Sequence, residues 1–292
     1  MCRHLAYLGP PTAVGELLTR GTHSLRTQSW APREMRDGGT INADGFGVAW
    51  WLPADAAPAD HGAGVTWHGG ATGDPRDTAV DRAATVSRYR NAAPIWTDPA
   101  VEEVLPQLRS TAVLAAIRSA TVGMPVERGA CAPFTHGHWA FSHNGAIPDW
   151  RRTLTDVAAQ FGAPSLLEAE SLTDSATLWV ILHGLLTRAD APESAAGETT
   201  PGTVLREVVR AVLARSPQAR LNLLLGDGET VWATTWHHSL AVLVTDEFAV
   251  VASEPYDDDA RWRSLADRQL VVVRPGSLTV ESLETDDERA GS

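Results

Sequence analysis

The chain opens Met1-Cys2-Arg3-His4-Leu5-Ala6-Tyr7-Leu8-Gly9, and the reading of this stretch decides the rest. Cys2 has a small side chain, so ordinary removal of Met1 would leave it as the first residue of the mature protein. One residue would then carry a thiol nucleophile and an α-amino group, whose unperturbed pKa of about 7.7–8.0 suits a general base near neutral pH. The segment from Cys2 to Leu8 leans apolar and runs into Gly9-Pro10-Pro11, the pattern of a strand ending in a turn. Cys2 therefore stands at the start of a predicted strand. A lone cysteine at position two is more often inert than catalytic, so the remaining sequence has to supply the rest of a site.

Composition narrows the class. With 292 residues and 43% hydrophobic content, the chain can bury a sizeable core. Its net charge is −12 and all 24 basic residues are arginine, which excludes a duplex nucleic-acid partner that needs a concentrated positive surface. Only Cys2 and Cys131 are available as thiols, and neither a CxxC nor an HExxH motif occurs; no metal site and no cofactor is expected, and Cys131 reads as a small buried residue. The opening residues lack the apolar run of a signal peptide, and the stretch from Ala176 to Leu186 is too short to cross a bilayer. The expectation is a soluble, cytoplasmic protein with no membrane partner.

Along the chain, Ala13 to Thr19 suggests a short helix, and Leu25 to Arg36 is irregular, with Gln28, Ser29 and Trp30 available to line a site. Asn42-Ala43-Asp44-Gly45-Phe46-Gly47 carries an Asp-Gly hairpin signal, and Ala54 to Gly64 reads as a loop before a strand from Val65 to Gly69. Asp81 to Arg90 and Val101 to Leu108 read as helices. Ala112 to Ile117 is a buried strand that delivers Arg118 at its end, where a guanidinium fork suits a carboxylate. The strand Trp139 to Ser142 leads into His143-Asn144-Gly145-Ala146-Ile147, whose Asn-Gly is the commonest tight-hairpin dipeptide. Thr173 or Asp174 is the N-cap of a helix from Ala176 to Thr187, and Asp190 to Gly202 is a polar loop before a helix from Thr203 to Ala214. Short strands follow at Leu221–Leu225, Thr230–Thr235, Leu240–Val244, Ala249–Ala252, Gln269–Val273 and Leu278–Leu283. Central helices with antiparallel strands at both ends predict an α+β layered domain over residues 2–283, and residues 284–292 form an acidic, frayed tail.

Taken in order, Cys2, Asn-Ala-Asp-Gly-Phe-Gly, Arg-Ser-Ala-Thr-x-Gly, His-Asn-Gly-x-Ile and Thr-Asp-Ser before a helix resemble the class II glutamine amidotransferases. These are amino-terminal-nucleophile hydrolases. Val251-Ala252-Ser253-Glu254-Pro255 resembles a later strand of their smaller, stand-alone relatives. The resemblance implies a four-layer αββα sandwich of two antiparallel sheets between helices. It implies that Cys2 attacks a γ-glutamyl carbonyl, with the Asn144 side chain and the Gly145 backbone N–H as the oxyanion hole. Arg118, helped by Thr121, would grip the glutamyl α-carboxylate and Asp174 the α-ammonium, with Asn42 to Gly47 as scaffold beside the nucleophile.

Three departures point away from free glutamine as the substrate. Ser119 and Val122 stand where glutamine-dependent members often have Trp and His. Ala130-Cys131-Ala132-Pro133 replaces Asn-x-His-Pro, and Thr173-Asp174-Ser175-Ala176 replaces Ser-Asp-Ser-Glu. The family-like unit fills the chain, so a stand-alone hydrolase of a small γ-glutamyl substrate is expected, without an obligatory synthase subunit. The opening residues and Arg-Ser-Ala-Thr are most similar to the branch that cleaves γ-glutamyl hercynylcysteine sulfoxide in ergothioneine biosynthesis. A glutaminase, a glutathione-degrading enzyme and an inactive binding protein of the same fold are the alternatives. The 11 tryptophans suit a trimethylammonium-bearing substrate, Trp50, Trp51 and Trp179 reading as core and Trp30, Trp67, Trp96 and Trp262 as less constrained. His4, His143 and the His237-His238 pair read as structural.

Overall fold

The computed structural model describes residues 2–34, 36, 41–52, 85–190 and 199–284. Its strands are β1 (Arg3–Ala13), β2 (Phe46–Leu52), β3 (Thr85–Asn91), β4 (Arg109–Ile117), β5 (Phe134–His136), β6 (Trp139–Ala146), β7 (Arg220–Gly226), β8 (Val231–Thr235), β9 (Ala241–Val244), β10 (Ala249–Ala252), β11 (Arg263–Ser264), β12 (Gln269–Arg274) and β13 (Ser277–Ser282). The helices are α1 (Val14–Thr19), α2 (Leu25–Gln28), α3 (Ala100–Glu103), α4 (Trp150–Phe161), α5 (Asp174–Ala189) and α6 (Pro201–Arg215). One antiparallel sheet has the order β11-β9-β10-β1-β4-β2-β3, and a second has the order β13-β12-β8-β7-β6-β5.

Strand alternation sorts the core into three strata. On β1, Leu5 and Tyr7 join Leu17 and Leu18 of α1, Leu25 of α2 and Val101 of α3, whereas Ala6 and Leu8 turn to the other face. There they meet Leu114, Ala140, Leu224 and Val271, the stratum between the two sheets. The outer face of the second sheet packs Phe141, Leu223 and Leu225 against Leu154 of α4, Ile181 and Leu182 of α5 and Val208 of α6. Helix, sheet, sheet, helix is the result, and each fully buried leucine, valine or isoleucine in it contributes about 1.5–3 kcal/mol. This is the expected four-layer α+β sandwich.

Several local expectations give way to tertiary pairing. Gly9-Pro10-Pro11 does not end β1; the register against β4 shifts between Leu8 and Thr12, and pairing resumes at Thr12↔Ser110. The expected helix from Asp81 to Arg90 is in its described part a strand, because Thr85, Val86 and Tyr89 fit the ladder with β2 from Phe46↔Asn91 to Leu52↔Thr85. The expected helix from Val101 to Leu108 is only one turn of α3 followed by a 3-10 turn at Leu105–Gln107, which contains Pro106. Asn144-Gly145 is not a turn but continues β6 to Ala146. Helix α4 has no counterpart in the sequence reading, although Trp150, Leu154 and Val157 are buried at helical spacing and Gly162 closes it in a left-handed cap at φ 56°. The loop from Ala54 to Gly64, the strand from Val65 to Gly69, Trp67, and residues 285–292 lie outside the described residues.

Candidate active site

Register fixes the neighbours of Cys2. Arg3 pairs with Ile117 across β1 and β4, so the residues one step beyond, Cys2 and Arg118, face each other at the same sheet end. Cys2 and His4 share the parity of Ala6 and Leu8, which turns them into the space between the sheets. Arg118 shares the parity of Ala112 and Leu114 and faces the same way. The Cys2 Sγ lies 3.7 Å from the carbonyl oxygen of Ser119.

From the opposite sheet, Ser142 and Asn144 share the parity of Ala140 and look back toward β1. His4 Nδ1 lies 3.3 Å from Ser142 Oγ, the contact that bridges the two sheets one step behind Cys2. The Asn144 side chain is completely buried, and neither its Oδ1 nor its Nδ2 has a protein hydrogen-bond partner among the described residues. Buried amides are nearly always paired, and no described protein group pairs this one.

The Gly145 backbone is equally constrained. Leu221, its partner on β7, sends its N–H to Trp236 O at 3.1 Å, away from β6. A strand residue points its N–H and C=O to one side, so Gly145↔Leu221 is a non-bonded pair and the Gly145 N–H points to the opposite edge. There β5 covers β6 only from Trp139 to Phe141, leaving the edge at Gly145 open. A Cβ at this glycine would stand 1.8 Å from the Arg220 carbonyl oxygen and 2.5 Å from His143 Nε2, so no other residue fits without displacing β7.

Asp174 begins α5, and the alternative over its cap resolves in favour of Thr173, whose side chain accepts from Ala176 N at 3.2 Å. Asp174 is thereby free to accept from Ile147 N at 3.0 Å and Ser175 N at 2.8 Å, which ties the helix start to the end of β6. Arg118 is buried, and among the described residues its guanidinium makes one long bond, from Nη1 to Asp44 O at 3.4 Å. Thr121 lies on an exposed turn closed by Met124 N to Thr121 O at 2.9 Å and does not border the cavity beside Cys2. That cavity is lined by Cys2, Arg118, Phe134, Ser142, His143 and Ser175 among others. Its volume is about 20 Å³, room for a water. A larger cleft of about 570 Å³ opens between Pro148–Asp156 and Arg215–Gln218, but it includes none of Cys2, Arg118, Asn144 and Asp174.

The Asn42–Gly47 segment braces the arginine motif. Arg118 N donates to Gly45 O at 2.8 Å, Asp44 N to Arg118 O at 3.0 Å, and Ala120 N to the Asp44 carboxylate at 2.7 Å. Gly45 has φ 113°, and a Cβ there would lie 2.4 Å from Cys131 Sγ. Cys131 is a buried free thiol whose pKa burial pushes up to about 11, in keeping with a packing role. His143 bonds Ser175 Oγ at 3.0 Å and the Arg220 carbonyl at 2.8 Å, and burial holds His4 and His238 neutral with pKa values of about 3. Trp51 and Trp179 fill the core and Trp50 packs against it, as the sequence predicts, while Trp30 is 45% exposed. Among the described residues, no group of three or more His, Cys, Asp or Glu could hold a metal ion.

One feature beside Cys2 escapes sequence reasoning. Arg3 and Glu254 are both buried, with Arg3 Nη2 at 3.8 Å from Glu254 Oε2. Arg3 Nη2 also donates to Glu34 O at 2.7 Å, while the Glu254 carboxylate accepts from Arg33 N at 3.0 Å and Glu34 N at 2.8 Å. Desolvation lowers the Arg3 pKa, opposed by Glu254, Glu34 and Cys2. The signal lay in Val251-Ala252-Ser253-Glu254-Pro255, where a carboxylate follows a strand of four apolar and small residues.

Two facing antiparallel sheets between helices, with a cysteine at the head of the central strand, define the architecture of the amino-terminal-nucleophile hydrolases. The family model described as glutamine amidotransferases class-II matches residues 19–246, and the chain belongs to that family. It is 38% identical over 286 residues to the gamma-glutamyl-hercynylcysteine sulfoxide hydrolase of Mycobacterium tuberculosis (strain CDC 1551 / Oshkosh), covering 97% of each chain. To the protein of the same name from Mycolicibacterium smegmatis it is 35% identical over 283 residues, covering 97% of this chain and all of that one. A solved glutamine aminotransferase class-II domain protein from Silicibacter pomeroyi superposes with a TM-score of 0.56 at 20% identity, over 96% of this chain and 99% of that one, a likeness of fold.

Proposed function

We propose that this chain hydrolyses the γ-glutamyl amide of γ-glutamyl hercynylcysteine sulfoxide, releasing glutamate and hercynylcysteine sulfoxide, a step of ergothioneine biosynthesis. The observation that carries the reading is near-full-length similarity to hydrolases of that name, at 38% and 35% identity. The chemistry available at the end of β1 is compatible with it. After loss of Met1, the Cys2 α-amine takes the thiol proton and the thiolate attacks the γ-carbonyl carbon, forming a C–S bond. The negative oxygen is stabilised by Asn144 Nδ2–H and Gly145 N–H, donors worth roughly 3–4 kcal/mol each in comparable sites. Collapse breaks the C–N bond, and the leaving amine carries away the proton held by the α-ammonium. Water then attacks the thioester, giving glutamate and the free thiol.

Arg118 receives the glutamyl α-carboxylate and Asp174 the α-ammonium, one fixed charge for each end of a zwitterion; Thr121, on its exposed turn, would join them only from outside the cavity beside Cys2. Residues 2–283 act as one unit in the cytoplasm, without a synthase subunit. No helix among the described residues is long and apolar enough to cross a membrane. The test compares kcat/KM on γ-glutamyl hercynylcysteine sulfoxide, glutathione and glutamine for the native chain and for Cys2→Ala. The first substrate should lead by at least about tenfold, and the variant should bind it without turnover. A lead for glutathione or glutamine would move the assignment to another γ-glutamyl hydrolase, and undiminished turnover by Cys2→Ala would overturn the nucleophile.

A further inference from the structure

The edge strand β3 reaches the site from a side that none of the motifs covers. Register lines up His4, Ala116, Gly47 and Arg90 across β1, β4, β2 and β3, two residues along from Cys2 on β1 and from Arg118 on β4. Arg90 therefore shares the inner face of the first sheet with Cys2 and Arg118. Gly47 leaves that face bare beside it: a Cβ there would stand 2.5 Å from the Ala132 carbonyl oxygen and 2.8 Å from Arg90 Cγ, so the segment 130–134 lies directly on the sheet. Ala130, Ala132 and Phe134 of that segment line the cavity beside Cys2.

Arg90 holds two segments of chain at once. It is buried, and its Nη1 donates to Cys131 O at 3.1 Å while its Nη2 donates to Glu170 Oε2 at 2.6 Å. Arg88, on the same face of β3, donates to both oxygens of that carboxylate at 2.7 and 2.9 Å. Burial raises the Glu170 pKa, but the bonds from the two guanidinium groups outweigh it and hold the group below the ordinary carboxylate range. The chain from Glu170 to α5 is tightly tied. Ser171 Oγ donates to Glu127 Oε1 at 2.7 Å, Thr173 N donates to Ser171 O at 2.9 Å, and Thr173 caps the helix at Asp174. Arg118 follows β4 of the first sheet, whereas Asp174 is bonded to Ile147 N just past β6 of the second. The clasp from β3 to Glu170 thus spans from the sheet that carries Arg118 to the helix start that carries Asp174.

On the γ-glutamyl reading of Arg118 and Asp174 given above, which this step rests on, we infer that Arg90 and Glu170 are positioning residues of the glutamyl site, whose ion pair sets the spacing between those two groups. The carboxylate and ammonium on one α-carbon lie a fixed distance apart, so two protein charges receive both ends well at one spacing only. Arg90 and Glu170 act through Arg118 and Asp174, and the bond to Cys131 O holds the cavity wall to the same clasp.

The experiment compares a γ-glutamyl anilide with the glutaryl anilide that lacks only the α-ammonium. Both probes carry the carboxylate that Arg118 receives, so the ratio of their kcat/KM values reads the contact with Asp174. The native chain should favour the γ-glutamyl probe, and Glu170→Gln should lower the ratio about fivefold, equivalent to ~1 kcal/mol, chiefly through KM. Arg90→Lys, which keeps the charge and loses the fork, should lower it in the same direction. Loss of folded protein reduces both rates by one factor and leaves the ratio alone, so a poorly folding variant still reports. A ratio that stays at its native value in Glu170→Gln or in Arg90→Lys overturns the inference and leaves the hydrolase reading intact. Equal native rates on the two probes remove Asp174 as the ammonium site and the inference with it. Failure of the native chain to cleave any γ-glutamyl amide overturns the hydrolase reading as well.

Discussion

Replacing Asn144 by alanine should separate stability from catalysis. The Asn144 amide is completely buried and unpartnered by the described protein groups, a condition that costs about 1–3 kcal/mol in the folded chain. Truncation to alanine removes that penalty and leaves a cavity of roughly 40 Å³, which at ~24 cal/mol per Å³ costs about 1 kcal/mol. The balance is a variant as stable as the parent, or more stable by up to about 2 kcal/mol. Activity should move the other way, because loss of one oxyanion donor lowers kcat about 100- to 1,000-fold, or ~2.7–4 kcal/mol of transition-state stabilisation. Urea unfolding and turnover of a γ-glutamyl substrate, measured on the same preparation, read both quantities. A variant that loses more than about 2 kcal/mol of stability and keeps kcat within about threefold would refute the reasoning, since Asn144 would then be a packing residue.

Gly145→Ala should lower both properties at once: the new methyl meets the Arg220 carbonyl at 1.8 Å, so β6 and β7 must part, costing about 1–3 kcal/mol or more, and kcat should fall at least about 100-fold. A parental Tm together with parental turnover would contradict it. Arg118→Lys replaces a planar fork by a point charge, so KM for a γ-glutamyl substrate should rise about tenfold or more with a smaller change in kcat; an unchanged KM would remove Arg118 from substrate binding. His4 and His238, with folded pKa values of about 3, bind a proton in the unfolded chain below about pH 6.5 and in the folded chain only near pH 3. Their contribution is therefore whole above pH 6.5 and is lost as pH falls toward 3, at about 1.4 kcal/mol per pH unit for each. A urea midpoint that stays flat from pH 7.5 to 4.5 would contradict the burial of both rings.

The strands of the C-terminal part were legible because their apolar runs are short and bounded by turn residues, as at Ala249–Ala252 and Gln269–Arg274. Of the motif residues, register places Arg118 opposite Cys2 at the start of β1, and the His4–Ser142 contact sets β6 of the facing sheet one step behind it. Local rules failed where long-range pairing set the outcome. Asn144-Gly145 carries the commonest hairpin dipeptide yet runs on as a strand, because β7 pairs it through Ala146. Thr85–Asn91 became an edge strand through its ladder with β2, and Gly9-Pro10-Pro11 was absorbed as an irregularity because β4 pairs on both sides of it. The Arg3–Glu254 pair joins residues 251 positions apart, a separation that no local pattern reports.

Mass spectrometry of the purified protein after exposure to a γ-glutamyl electrophile bears most directly on the role of Cys2. A chain lacking Met1, with a single adduct on the Cys2 sulfur and none on Cys131, is the expected result. A retained Met1 in fully active protein, or inactivation that tracks modification of any other residue, would contradict it.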